Sequence, residues 1–216
     1  LNLLFVTVAM IVPFIGQIVA MGYQATVVDA LARRGREAPP PRFDLARLGE
    51  YLLPGVRMFV VSLVMTCILL PIVWLGSVVV LAVVLGVTHA IGPQEAASTF
   101  LGCALLGVFG LIFAAVMLVA QTLATPAFVR AAIDPDFGGI FDFAYVRDFL
   151  SRTGAAALKA HLFVVVLHVG LFLVGLLACV IGIFPALGFG MLVQAHMFGQ
   201  LYLLYLERGG RRVHPG

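Results

Sequence analysis

Five long apolar stretches dominate the chain, at residues 3–28, 58–87, 100–124, 155–183 and 186–206. A helix needs roughly 20 residues to cross a hydrocarbon core of about 30 Å, and each stretch reaches that length. The pattern predicts an all-α integral membrane bundle of about five transmembrane helices, forming a single domain over residues 1–216. For the first stretch, one simple span is favoured over a re-entrant hairpin, although Pro13 and Gly16 could bend it.

Two polar connections contain similar ten-residue segments, Phe43-Asp-Leu-Ala-Arg-Leu-Gly-Glu-Tyr-Leu52 and Phe141-Asp-Phe-Ala-Tyr-Val-Arg-Asp-Phe-Leu150. We call them the Phe-Asp segments. Each follows one predicted span and precedes another, which predicts a parallel internal duplication. An Asp at the start of a helix accepts hydrogen bonds from the first free amides, so Asp44 and Asp142 are predicted to be N-caps.

The Phe-Asp segments are also predicted to form amphipathic helices, over about residues 44–53 and 142–152. Leu48 and Val146 would each pack against the phenylalanine that opens their segment, as in a hydrophobic staple. Such helices lie at the membrane interface with the apolar side toward lipid or toward the bundle. We interpret them as interface helices, either as ordinary connectors or as a dedicated docking surface.

Charged residues are scarce and lie on one side of the predicted spans. Hydrophobic residues make up 62% of the 216 residues and charged residues 11%, against roughly 25% charged residues in soluble proteins. All 13 Lys and Arg residues fall in or beside the first and third connections or after the last span. By the positive-inside rule these parts are cytoplasmic, and the Leu1 end would then face outward. No basic run is interleaved with aromatic residues, so no nucleic-acid partner is predicted.

Polar side chains inside a membrane often mark function, and here histidine and glutamine are the candidates. His161 and His168 share one helical face at seven-residue spacing, and His196 and Gln200 share another at i, i+4 spacing. These four side chains are predicted to form an intramembrane polar seam. The seam could bind a headgroup, a metal or a pigment, but hydrogen bonding between helices is the favoured interpretation.

No catalytic set, metal site or cofactor site is predicted. The chain has no nucleophile elbow, Walker loop, HExxH motif or dinucleotide fingerprint. Its three cysteines stand singly in apolar stretches, without the spacing of a metal or redox site. We therefore expect that the protein is not an enzyme.

Three short motifs occur toward the two ends of the chain: Gly22-Tyr23, then Pro41-Arg-Phe-Asp44 with a helix that runs into Gly55, and Val193-Gln-Ala-His-Met-Phe-Gly-Gln-Leu-Tyr202. Together they resemble an uncharacterised prokaryotic family of polytopic membrane proteins, known as a domain of unknown function. The resemblance implies a multi-pass helical protein of the prokaryotic cytoplasmic (inner) membrane and assigns no activity. Members often begin with an extra cytoplasmic segment, so we expect residues before Leu1. The proline run before Phe43 departs from the single proline that is usual there.

Two classes of function agree with this pattern. The first is a non-catalytic scaffold, assembly or accessory subunit, which packs against membrane lipids and against other membrane-protein subunits or a second copy of itself. The alternative is a permease or channel-like protein for a lipidic or weakly polar substrate, with the polar seam lining its path. A water-filled cavity at the histidines would distinguish the two.

Overall fold

The computed structural model describes residues 2–12, 14–37, 39–91, 95–177 and 182–213. Over these ranges it contains no β-strand and six α-helices, which are α1 Asn2–Ile11, α2 Ile15–Arg34, α3 Leu48–Ile91, α4 Glu95–Ile133, α5 Phe143–Leu177 and α6 Ile183–Glu207. A single 3-10 turn, Leu45–Arg47, precedes α3. The prediction of an all-α fold is confirmed for the described residues.

Four helical stretches are long and apolar enough to cross a membrane: Leu45–Val87, Phe100–Ile133, Phe143–Leu177 and Ile183–Glu207. They overlap the second to fifth apolar stretches of the sequence, but the first and third of them begin more than ten residues earlier than predicted. Helix α3 has 44 residues, or about 66 Å at 1.5 Å per residue, so it is about twice as long as a hydrocarbon core is thick. The predicted end of the fourth span includes residues 178–181, which lie outside the described residues.

The first apolar stretch is not one continuous helix, so that prediction is wrong. Helix α1 ends at Ile11 and α2 begins at Ile15, on either side of a proline that has no amide hydrogen to donate. Phe14 has a φ of 59°, in the left-handed region. The two helices pack against each other, and a Cβ on Gly16 would lie 1.8 Å from the Ala9 carbonyl oxygen. The stretch is therefore a helical hairpin.

The start of this hairpin lies beside the first Phe-Asp segment. The Asn2 side chain donates a hydrogen bond to the Pro41 carbonyl oxygen at 3.2 Å and accepts one from the Phe43 amide at 3.0 Å. The start of α1 therefore lies beside the connection that follows α2.

The Phe-Asp segments are not separate helices in the structure. Residues 48–53 are the first turns of α3, and residues 143–152 are the first turns of α5. From each segment the helix continues into the following apolar stretch. Leu48 is 38% exposed, whereas Phe43 packs against the rings of Tyr23 and Tyr51.

The chain divides into two compact units, one formed by Leu1–Ser62 with Gln121–Gly216 and the other by Leu63–Ala120. In the first unit, α6 packs against α1, α2 and α5. A glycine of α6 lies at each of these contacts: Gly188 beside Thr7 of α1, Gly190 beside His168 of α5, and Gly199 beside Leu31 of α2. Small residues let helix backbones approach closely, which is how helices associate where the surrounding lipid is as apolar as they are.

Helices α2 and α3 also meet through glycines in the first unit. A Cβ on Gly22 would lie 1.8 Å from the Tyr51 carbonyl oxygen, and one on Gly55 would lie 2.0 Å from the Ile18 carbonyl oxygen. Two of the motif glycines therefore form one backbone contact.

The second unit, Leu63–Ala120, contains the second part of α3 and the first part of α4, and we call it the apolar hairpin. Within it, a Cβ on Gly76 of α3 would lie 3.3 Å from the Phe109 ring of α4. Residues 63–87 and 100–120 contain no charged residue. In the most apolar 18-residue window of the first candidate span, 0% of the residues are buried.

Candidate functional site

The predicted polar seam is divided between two locations. His161 is buried on α5, with Nδ1 2.9 Å from the carbonyl oxygen four residues earlier and its ring 6.3 Å from that of Phe198 of α6. His168 Nδ1 likewise lies 2.8 Å from a carbonyl oxygen four residues earlier on its own helix. Its Nε2 would lie 2.3 Å from a Cβ added to Gly190 of α6. Both histidines therefore belong to the contact between α5 and α6.

The other two members of the seam bond to each other. His196 is exposed on α6, and its Nε2 lies 3.3 Å from the Nε2 of Gln200. Among the described residues, this is the one hydrogen-bond distance that joins members of the predicted seam. None of the four side chains lines the clefts that the described residues form at the charged ends of the helices.

A cleft of about 330 Å³ opens where the start of α5 meets the end of α6. We call it the arginine cleft, because four arginines and two aspartates supply its charged lining. The residues that line it are Arg130, Asp142, Ala144, Tyr145, Asp148, Arg152, Tyr205, Gly209, Arg211, Arg212 and Val213. They come from the end of α4, the start of α5 and the segment after α6, three of the regions to which the charges of the chain are confined.

One ion pair connects the end of α4 to the start of α5, and two further pairs are local. Arg130 of α4 lies 3.0 Å from Asp142 and 3.3 Å from Asp134. Arg152 lies 2.9 Å from Asp148 on the same helix, a spacing at which helical pairs contribute about 0.3–0.5 kcal/mol when exposed. The Arg130 guanidinium donates to the Asp142 carboxylate and lowers its pKa, and the amides of Tyr145 and Ala144 act in the same direction.

Asp142 also starts helix α5. Its Oδ1 accepts hydrogen bonds from the amides of Ala144 at 2.9 Å and Tyr145 at 3.3 Å. Asp44 accepts one from the Ala46 amide at 2.9 Å, at the 3-10 turn before α3. Each aspartate thus satisfies amides that a helix start leaves without partners.

Tyrosine hydroxyls hold the segment after α6 over the arginine cleft. The Tyr205 hydroxyl donates to Asp148 at 2.7 Å and accepts from the Arg211 amide at 3.1 Å. The Tyr202 hydroxyl accepts from the Val213 amide at 3.1 Å. Gly209 takes a φ of 79° where the chain leaves the helix, a conformation that glycine adopts without steric cost.

Tyr145 also lines the arginine cleft. Its hydroxyl is buried and has no hydrogen-bond partner among the described residues. The Arg130 guanidinium stands over its ring at 5.3 Å, within the range of a cation–π contact. A buried hydroxyl without a partner costs free energy, so a ligand that accepted its hydrogen would gain from this arrangement.

A second buried cation lies between α3 and the connection after α4. Arg57 Nη1 donates to the Asp134 carbonyl oxygen, and its Nε has no partner among the described residues. Arg57 lines a cleft of about 250 Å³ together with Asp29 and Arg33. The carbonyl contact comes just after the last turn of α4, where a cation is favourable because of the helix dipole.

Sequence reasoning recognised the Asp142 cap and the clustering of arginines but not the arginine cleft. It missed Tyr145 and Tyr205, and it did not predict that arginines from three segments line one cleft. Tyr145 and Asp148 lie three residues apart in the second Phe-Asp segment, a spacing that places them on one helical face. Their partners on α4 and α6 could not be read from that segment.

The four long apolar helices and the confinement of charge to their ends define the class: an all-α integral membrane protein. Within that class, the chain belongs to the family described as a protein of unknown function (DUF4013), whose model matches residues 5–197. The predicted membership of an uncharacterised family is confirmed. The match includes the Gly-Tyr and Pro-x-Phe-Asp motifs and the start of the third. No curated protein and no solved structure matches the chain.

Proposed function

We propose that the chain is a non-catalytic polytopic protein of the prokaryotic cytoplasmic membrane that acts as a scaffold, assembly or accessory subunit. The observation that carries the proposal is the apolar hairpin, in which Trp74, Phe100 and Leu111 are each at least 64% exposed. Exposed apolar surface on this scale needs a cover of lipid or of other membrane helices. We infer that a surface of this kind serves packing.

The structure supports a refined topology for this protein. We propose that α3, α4, α5 and α6 cross the membrane, and that the α1–α2 hairpin approaches it from the cytoplasmic side without crossing. This arrangement leaves all 13 basic residues on the cytoplasmic side, as the positive-inside rule requires. It also agrees with the contact of Asn2 with Pro41 and Phe43.

The same proposal includes a parallel duplication, in which each Phe-Asp segment marks the entry to a spanning helix. The caps of Asp44 and Asp142 support it. The buried rings of Tyr51 and Phe149, each seven residues beyond its cap, support it further. In this interpretation the first turns of α3 and α5 take the interfacial place that was predicted for separate amphipathic helices.

The permease alternative has less support. A path would require the polar side chains of α5 and α6 to face a common cavity. His161 and His168 are instead bonded to carbonyl oxygens of their own helix and packed on α6, while His196 is exposed. Interhelical packing accounts for these positions without a substrate.

Topology can be tested with a membrane-impermeant maleimide in intact cells and in inverted vesicles. Asn2→Cys is expected to react only in inverted vesicles, as is Arg147→Cys, an exposed position in a basic connection. The native Cys67 and Cys103 are first replaced by serine, and the remaining cysteine by alanine. Labelling of Asn2→Cys in intact cells would overturn the hairpin topology.

The accessory role can be tested by placing a photo-crosslinking residue at Leu111, which is 74% exposed, with Val61, which is 0% exposed, as the matched control. A partner subunit or a second copy should be captured in native membranes at Leu111 and not at Val61, and it should copurify at fixed stoichiometry without irradiation. A chain that purifies alone as a monomer and moves a solute across liposomes would contradict the proposal and favour the permease.

A further inference from the structure

The charges of the arginine cleft do not balance. Its lining has four arginines and two aspartates. Asp142 is paired with Arg130, and Asp148 is paired with Arg152. Arg211 and Arg212 form no ion pair within the described part of the chain. The cleft therefore has two positive charges that no neighbouring carboxylate neutralises directly.

The segment that carries these two arginines is positioned rather than loose. The Arg211 amide is bonded to the Tyr205 hydroxyl, and two residues later the Val213 amide is bonded to the Tyr202 hydroxyl. Arg152 and Arg208 also donate to each other's carbonyl oxygens. Both arginines are thus held beside the cleft before any ligand arrives, which reduces the conformational entropy lost on binding.

Tyr145 of α5 contributes to the same lining a hydrogen-bond donor without an acceptor. The buried Tyr145 hydroxyl has no partner among the described residues, and its residue lines the same cleft. A ligand that satisfies the cleft must therefore carry negative charge and several acceptor oxygens. Phosphate has both properties, and the planar arginine fork matches its geometry.

From this juxtaposition we propose that the arginine cleft is a binding site for a phosphate group, which Arg211, Arg212 and the Tyr145 hydroxyl would hold. The phosphate of an anionic phospholipid is the expected source. That choice rests on the proposed topology, which places the cleft at the cytoplasmic surface of the membrane. Basic clusters next to a spanning helix attract anionic lipids there. Soluble phosphate has the same chemistry and is the second source that the experiment separates.

Native mass spectrometry of the full chain in detergent measures the binding directly. The probes are dioleoyl phosphatidylglycerol, the zwitterionic dioleoyl phosphatidylcholine, and inorganic phosphate. The test variant is Arg211→Gln with Arg212→Gln. The matched control is Arg42→Gln with Arg147→Gln, two exposed arginines outside the cleft. Phosphatidylglycerol should bind the test variant more weakly by about fivefold for each arginine removed, with the control unchanged.

Tyr145→Phe separates binding from folding. Its hydroxyl has no partner within the described residues, so the variant should keep the wild-type melting temperature in lipid-free detergent while it loses affinity for phosphatidylglycerol. Equal binding of inorganic phosphate and phosphatidylglycerol would support the site and make soluble phosphate the ligand. Equal loss in the test and control double variants would mean nonspecific attraction and overturn the proposal. These results are independent of whether a partner subunit copurifies.

Discussion

Phe43 and Phe141 hold the same position in the two Phe-Asp segments, but Phe43 is 5% exposed and Phe141 is 41% exposed. The ring of Phe43 stacks on Phe5 at 5.4 Å and on Tyr51 at 5.2 Å. The Tyr51 hydroxyl accepts a hydrogen bond from the Asp44 amide. The first segment is thus closed by aromatic packing and by bonds to its own backbone.

The second Phe-Asp segment uses its polar positions differently. Its buried ring, Phe149, packs on Tyr205 at 4.9 Å, much as Tyr51 packs on Phe43. Its first aspartate, Asp142, forms an ion pair with Arg130. Both side chains line the open arginine cleft. The comparison indicates that one sequence pattern can start a helix in both places while its neighbours decide whether the site is closed or accessible.

The largest expected effect comes from removing the ring that closes the first segment. Phe43→Ala should lower the free energy of unfolding by about 3–5 kcal/mol, because a buried ring leaves a cavity. Phe141→Ala, at the equivalent exposed position, should change it by about 0.5 kcal/mol or less. Denaturant titrations in mixed micelles, followed by circular dichroism, measure both. Similar losses for the two variants would remove the distinction between the segments.

The next largest loss of stability is expected at the backbone contact between α2 and the first Phe-Asp segment. Gly22→Ala forces a Cβ against the Tyr51 carbonyl oxygen, so α2 and α3 must separate, at a cost of about 1–3 kcal/mol. Gly154→Ala on α5 is the control, since no atom lies within 4 Å of its added Cβ. The control should be neutral or stabilising by up to about 1 kcal/mol, as measured by thermal unfolding.

A smaller effect should distinguish the tyrosines of the two segments. Tyr51→Phe removes the acceptor of the Asp44 amide and should cost about 1 kcal/mol. Tyr145→Phe removes a hydroxyl that has no partner in the described structure and should cost close to nothing. The melting temperatures of the purified variants in the same detergent provide the test. A larger loss for Tyr145→Phe would show that its hydroxyl has a structural partner.

The smallest effect concerns pH. The pKa of Asp142 is lowered in the folded protein, first by the Arg130 hydrogen bond, so its ionised form stabilises the fold above the unfolded pKa of about 3.9. That contribution should disappear as the pH falls through the lower, folded pKa. Asp142→Asn should therefore melt below the wild type at pH 6, and the difference should shrink at pH 3. A difference that stays constant between these pH values would exclude ionisation as its cause.

The helical class and the caps that precede α3 and α5 could be predicted from the sequence, because both have a local physical cause. A run of 20 or more apolar residues that crosses lipid forms a helix, because its backbone N–H and C=O groups have no water to bond to and must bond to each other. Asp44 and Asp142 were recognisable as caps because a cap bonds amides within three residues of itself. Helix formation in lipid and capping are local properties, because the residues that determine each of them lie within one short stretch of sequence.

The first apolar stretch shows where local reasoning failed. Residues 3–28 read as one span because hydropathy does not register a chain reversal. The reversal depends on Gly16 meeting Ala9, and on Asn2 reaching Pro41. The positions of the four seam residues depend on the same kind of information, because the sequence shows which helical face carries His161 or His196 but not which helix lies opposite that face.

By itself, the sequence indicated lipid as the surrounding solvent and predicted five spans, four of which correspond to long apolar helices. It also located the charged connections and the two caps, Asp44 and Asp142. Only the tertiary structure decided that the first stretch folds back on itself, that His161 and His168 pack between α5 and α6, and that arginines from three segments line one cleft with Tyr145. The physical reason is range. Hydropathy and capping act over a few residues, whereas a cleft depends on which distant side chains the packing of helices brings within about 3 Å of one another.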